Sequence, residues 1–328
     1  MTRNPRLPII AAAAALALAV LVCRGAPSGA AVPAAPAAPV FGDAFWKHWG
    51  DGKAELAGYD LTFPRYGELR RGVAVTVFVT ETFSNSLRVK SDPGKHPKSD
   101  EFPVMKLNLV EDFSTGIYDY NLMTSAFVAL SPVNGRPAGS ATKVSFSSQE
   151  WCGNVYGQLL FDATSARQTS HSYFDGEADQ SRVLPVPADG LSGDALLLWA
   201  RGLAGPLLAP GERRQVPLVQ SIEAARLAHR HIEILRATLE RDAASSRATV
   251  PAGSFEVERR TVEIAGGPTW RIAVESAEPH RIIEWETSDG QKASLLGSDR
   301  LPYWKMHDEA GQSALAKLGL TPRGARMP

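Results

Sequence analysis

Over residues 72–83 the side chains alternate: Val73, Val75, Val77 and Val79 fall on one side, and Thr76, Phe78 and Thr80 on the other. Period-two alternation of β-branched and aromatic residues marks a strand with one face against a core. The pattern recurs. Residues 56–63 alternate, and over 104–110 Met105, Leu107 and Leu109 oppose Lys106 and Asn108. A strand starts near Ile117, and residues 143–161 predict a long strand or one bulged at Gly153. Residues 169–174 and 182–187 predict short strands. Residues 253–265, 269–275, 281–288 and 292–296 predict a meander, with Gly266-Gly267 and Asp289-Gly290 as hairpin turns. Asn134-Gly135 is a further turn, and polar residues 85–101, with Pro93, Gly94 and Pro97, predict a long loop.

Helical spacing interrupts this pattern in few places. Phe41, Phe45, Trp46 and Trp49 recur every three to four residues behind Asp43, as on a short docking helix. Ser192 or Asp194 is placed to cap a helix through Leu196, Leu197, Trp199 and Leu203. Ser221 is placed to cap the clearest helix, residues 222–241, with the stripe Ala224, Ala228, Ile232, Leu235 and Leu239. A last short helix over 309–318 stops at Gly319. With no fixed-period repeat and no βαβ alternation, the pattern implies a mainly β (α+β) fold. The expected form is a curved antiparallel sheet or half-barrel, with a central packed helix and a short C-terminal helix. Such a half-barrel leaves a concave apolar face, a ready ligand site. The expected organisation is a signal peptide or anchor over 1–31, a Pro/Ala-rich tether over 32–42, a β-rich domain over 43–320 and a tail over 321–328. Within the domain, sub-sheets over 43–187 and 250–305 are alternatives to one sheet, joined by helices in 191–242.

The N-terminus addresses the chain for export. Arg3 and Arg6 precede an apolar run from Leu7 to Cys23, and small residues follow, with cleavage expected after Ala30 or Ala31. Alternatives are an uncleaved anchor and a lipidated Cys23. The protein is therefore expected in the periplasm or outside the cell, with membrane proximity only through this N-terminal segment. Lys plus Arg (35) equals Asp plus Glu (35), which argues against a nucleic-acid partner. Cys152 is the second of two cysteines, so the processed domain has no internal disulfide.

Two segments carry residues with chemical potential. In Glu150-Trp151-Cys152-Gly153 a thiol needs a neighbouring imidazole to act as a nucleophile. His171 is the candidate base, with Glu150 or Asp175 to orient it. Alternation places Glu150 and Cys152 on one face of the predicted strand. In the second segment His171, Asp175, Glu177 and Asp179 lie within nine positions, and Trp151, Tyr173, Glu177 and Asp179 are candidate binding residues. Carboxylates suit a hard cation and His171 would complete a transition-metal site, but the spacing matches no calcium loop and acidic turns are usually solvated, so no cofactor is expected. His229 and His231 diverge by about 200° on a helix and do not share a metal. Trp270, Trp285, Tyr303 and Trp304 suit core and edge positions better than a cleft. There is no phosphate loop, nucleophile elbow or paired-cysteine zinc pattern.

Several stretches resemble a family of exported bacterial proteins of unknown function. They are Glu55 to Tyr66 with Gly67-Glu68, Val79-Thr80-Glu81-Thr82-Phe83, Phe102 to Leu109, Thr115 to Tyr120 with Met123-Thr124-Ser125, Gln149 to Gly153, and Ser170 to Phe174 with Glu177 to Gln180. Members often carry the transferred name "septum formation inhibitor Maf". The chain lacks the Ser-x-Ser-Pro-Arg-Arg-type motif of the cytoplasmic nucleotide pyrophosphatases of that name. From Val250-Pro251-Ala252-Gly253-Ser254-Phe255 onward the chain is similar to a second group of envelope proteins, whose fold resembles the half-barrels of lipoprotein carriers. The resemblance implies no catalytic residues. The leading expectation is a non-enzymatic envelope protein that binds a lipid, another apolar or amphipathic small molecule, or an envelope protein partner. An envelope hydrolase built on Cys152 and His171 and a structural scaffold are the alternatives.

Overall fold

The computed structural model describes residues 38–322. The expected signal or anchor, Cys23 and most of the tether lie outside the described residues.

The chain enters through helix α1 (Asp43–Trp49) and then builds a run of long hairpins: β1 (Ala54–Arg65), β2 (Glu68–Ser84), the short β3 (Val89–Lys90), β4 (Glu101–Thr115) and β5 (Tyr118–Ala129). β6 (Ala141–Glu150), β7 (Gly153–Phe161), β8 (Ser165–Ser172) and β9 (Gln180–Pro185) continue it. A crossover follows, holding β10 (Leu191–Ser192), α2 (Leu196–Ala200), β11 (Arg213–Val219) and α3 (Ile222–Leu227). β12 (Ile234–Arg241), β13 (Ser246–Val250), β14 (Gly253–Ile264), β15 (Thr269–Glu275), β16 (Ile282–Thr287) and β17 (Lys292–Leu301) complete the strands.

All seventeen strands belong to one sheet. From β1, pairing runs through β2, β4, β5, β6, β7 and β8 to β9 in one direction, and through β17, β16, β15, β14, β12 and β11 to β10 in the other. Only β10–β11 is parallel. β9 and β10 are not hydrogen-bonded to each other, so the sheet curls without closing into a barrel.

The crossover fills the concave face. All five residues of α2 are buried, and Leu196, Leu197, Leu198 and Trp199 join one core cluster with Tyr59, Phe78, Leu107, Phe146, Leu239 and Trp285. A five-residue helix is too short to persist by its own hydrogen bonds. Its order comes from burial, at about 1.5–3 kcal/mol for each large side chain. Polar clamps position it. Trp199 donates from Nε1 to the Pro206 carbonyl at 3.1 Å. Arg136 donates to the carbonyls of Pro187 and Gly190 where the crossover begins. Arg201 binds Glu55 of β1 through two hydrogen bonds of 2.6 and 3.1 Å, reaches the Pro279 carbonyl, and lies 4.3 Å above the Phe78 ring.

The C-terminal segment covers the other face of β1 and β17. Gly58 and Gly297 oppose each other across that pair, and a Cβ at Gly58 would lie 2.3 Å from the Leu318 carbonyl oxygen. The covering turn, Glu309–Leu318, is a 3-10 helix ending at Gly319 with φ 68°.

The half-barrel architecture matches the alternating pattern, but three local readings change. The helix expected over 222–241 is the short α3 followed by strand β12. His229, with φ 52°, turns the chain, and the Arg230 amide bonds back to the Ala225 carbonyl. Beyond that turn Leu235 and Leu239, which belong to the helical stripe, also follow strand alternation with Ala237, and pairing with β11 and β14 selects the strand. Residues 143–161 form a hairpin rather than one strand, with Trp151-Cys152 as its turn. Alternation therefore does not carry from Glu150 to Cys152: Glu150 is buried and Cys152 exposed. Finally, Asp194 does not cap its own helix. It accepts from the Ile222 amide at the start of α3, while Ser221 caps α3 as expected by accepting from the Ala224 amide.

Arg201→Ala would leave the Glu55 carboxylate buried without a partner. It is expected to cost about 3–5 kcal/mol in urea unfolding. The double variant Glu55→Gln/Arg201→Met, which removes both charges, should lose clearly less. Equal losses would show that packing rather than charge pairing sets the cost.

Candidate functional site

Between the concave face and the crossover lies a cavity of about 390 Å³. Leu107 and Leu109 of β4, Leu196 and Leu197 of α2, Leu218 of β11, Leu227 of α3 and Trp270 of β15 make its walls largely apolar. Its lining also includes Arg65, Arg230, Gly266-Gly267-Pro268 and Asp289, residues at or beside the β1–β2, β14–β15 and β16–β17 turns. The opening is thus at the turn end of the sheet. Trp270 contributes to a cleft, unlike its expected edge role, whereas Trp285 is fully buried against Tyr59.

Besides the exposed Asp289, three acids line this cavity. Glu111 follows Met105, Leu107 and Leu109 on the inward phase of β4 and is 1% exposed. It accepts from Gln291 Nε2 at 2.6 Å and is hydrogen-bonded to the carboxyl group of Glu223 on α3. Burial pushes the Glu111 carboxyl up to about 7. Burial, then the charge of Glu111, holds Glu223 well above the usual carboxylate range. Burial raises Asp194 to about 6 against the hydrogen bond from the Ile222 amide. Two carboxyl groups in hydrogen-bond contact within an apolar wall share a proton, because both cannot ionise together. Near neutral pH the pair therefore keeps one proton between its two carboxyl groups and turns free acceptor lone pairs to whatever occupies the cavity.

The residues singled out in the sequence lie just outside the cavity, on the turns beside α3. Arg226 of α3 is buried between two of them, 3.8 Å from Glu150 and 3.6 Å from Glu177, with its guanidinium 3.9 Å above the Phe174 ring. His229 bonds Glu177 through Nδ1. Glu150 and Glu177 thus clasp the outer side of α3 while its inner side lines the cavity. His171 Nδ1 meets Asp179 Oδ1 at 2.8 Å, and both side chains are exposed. Cys152 is exposed, and no hydrogen bond joins its sulfur to His171. The Tyr173 ring lies over Gly153, where a Cβ would come within 2.4 Å of it. Trp151 stacks on Tyr118 at 6.2 Å. Among the described residues no group of three His, Cys, Asp or Glu is gathered to hold a metal ion.

The sequence singles out none of Glu111, Glu223 and Asp194 as site residues, and Asp194 is marked there only as a helix cap. One signal existed for Glu111, an acid on the inward phase of an otherwise apolar strand. Nothing local marks the other two as site residues; their roles arise where the crossover folds against β4.

A larger groove of about 730 Å³ lies at the opposite end, beside α1 and residues 278–280. Its charged groups are already matched: Arg241 and Arg260 both bind Glu258.

The acids make stability depend on pH. The folded-state pKa of Glu111 lies above the ordinary 4.5, so its contribution is full below that pH and is lost as pH rises through about 7. Asp194 acts in the same sense. Urea unfolding from pH 5 to 8 should show wild-type stability falling. Glu111→Gln should flatten that fall by about 3 kcal/mol. Parallel profiles for the two proteins would contradict the buried-pair assignment.

No family model matches the chain and no curated protein matches it, so the resemblance to the family carrying the Maf label finds no support there. Among solved structures the chain is similar to a β-barrel-like protein of the domain of unknown function DUF1849 from Brucella abortus. Identity is 12% and the TM-score 0.42, over 75% of this chain and 97% of that one. The barrel-like fold described above rests on this chain's own strand pairing.

Proposed function

We propose that this protein is an exported, non-enzymatic binding protein of the cell envelope that holds an apolar or amphipathic small molecule inside its half-barrel. The observation that carries this reading is the cavity between sheet and crossover, with apolar walls and a protonated carboxyl pair at one place in its lining. A site of a few hundred Å³ with few convergent polar groups suits a small ligand with an apolar body and one polar group. The leader-like N-terminus supports export. The cavity gives the binding reading a specific place in the molecule, which the scaffold alternative lacks.

The test is displacement of an apolar fluorescent probe. N-phenyl-1-naphthylamine should gain fluorescence with the wild-type chain. Ala224→Trp, which fills the cavity from α3 without removing a hydrogen bond, should weaken binding at least about tenfold, the equivalent of about 1.4 kcal/mol. Native mass spectrometry of detergent-free protein should show an extra mass that this variant lacks. Equal probe binding by both proteins would overturn the reading.

A further inference from the structure

Four bulky side chains stand exposed on consecutive hairpin turns at the mouth end of the sheet. Tyr66 on the β1–β2 turn is 57% exposed, Ile117 on β4–β5 80%, Trp151 on β6–β7 65%, and Tyr173 after β8 68%. Turns ordinarily carry Gly, Asn, Asp or Ser at such positions. Trp151 stacks on Tyr118 yet stays largely exposed, and Ile117 beside Gly116 is more exposed still. We propose that this aromatic rim is a membrane-docking surface that sets the mouth of the half-barrel against the interfacial layer of a lipid bilayer.

The exposed area separates this occupant from a second copy of the chain. Hairpins two strands apart lie about 10 Å from one another. Side chains bridge part of that gap, since Trp151 stacks on Tyr118 and the Tyr173 ring lies over Gly153, so the tips form a narrow, uneven rim. Together they expose roughly 500 Å², less than the roughly 800 Å² per partner of a stable interface. A fluid interface accepts such an uneven rim, which a rigid protein surface would have to match in shape. Tyr and Trp suit that layer because each pairs an apolar body with a polar tip. Charge at this end is mixed. Glu68 pairs with Arg70 and His171 with Asp179, while Asp175 and Arg230 are exposed. Docking is then driven by the rings and not by anionic lipid, so it needs no negative headgroup and resists salt. The cavity opens at the same end, which would place its mouth at the bilayer surface.

Cys152 sits on the rim and serves as the reporter. In the full chain carrying Cys23→Ser, a polarity-sensitive fluorophore on Cys152 should shift to the blue with phosphatidylcholine vesicles and be quenched by brominated lipid. The same fluorophore on Trp304→Cys, in a chain also carrying Cys152→Ser, should do neither, because residue 304 follows β17 at the opposite end. The triple variant Ile117→Ser/Trp151→Ser/Tyr173→Ser should weaken the Cys152 response at least about tenfold. The proposal is overturned by no response at Cys152, by equal quenching at both positions, or by a concentration-dependent shift without vesicles, which would report a second copy. Failure of cavity binding with the rim response intact would leave this inference standing and remove only the binding reading.

Discussion

A sheet that curls without closing must cover its own concave face. The strands supply inward apolar side chains from Tyr59 to Trp285, but the two ends of the sheet never pair. The crossover from residue 186 to 233 provides the cover. Its short helix α2 exists because the sheet surrounds it, and the sheet avoids an exposed apolar trough because α2 is there. The Arg201–Glu55 pair ties this plug to β1, the strand from which pairing proceeds in both directions. It joins the last part of the fold to its centre.

The cover is incomplete at one end, and the incompleteness makes the site. Between α3 and β4 the crossover leaves space, and Glu111 and Glu223 there avoid the cost of two buried charges by sharing a proton. The opposite side of α3 is held by Arg226 and His229 against Glu150 and Glu177. One turn and a half of helix therefore has two faces with separate roles, one clasped to the hairpin turns and one lining the cavity. Any ligand that needs more room than the cavity offers would have to strain that clasp.

The binding and membrane proposals draw on different parts of the molecule. One depends on the interior between sheet and crossover, the other on side chains left largely exposed on the hairpin turns. They meet only in topology, since consecutive antiparallel hairpins bring their turns to one end and the cavity opens there.

The β-rich half-barrel was legible because strand alternation and hairpin turns are local. Met105, Leu107 and Leu109 declare the inward face of β4 wherever its partners lie, and Asp289-Gly290 declares a turn without them. The stripe at residues 224–239 was ambiguous, since Leu235 and Leu239 satisfy both a helix and, with Ala237, a strand. Neighbouring strands decided it. Glu150, Glu177 and His229 come from three distant segments, and the link between them is Arg226, whose spacing in sequence announces nothing. The same holds for Glu111 and Glu223, 112 positions apart in number. By itself the sequence determined which residues face inward and where the chain turns, because those follow from backbone geometry over a few residues. Only the tertiary structure decided which inward acids meet, because that depends on how the crossover settles into a curve made by strands far apart in the chain.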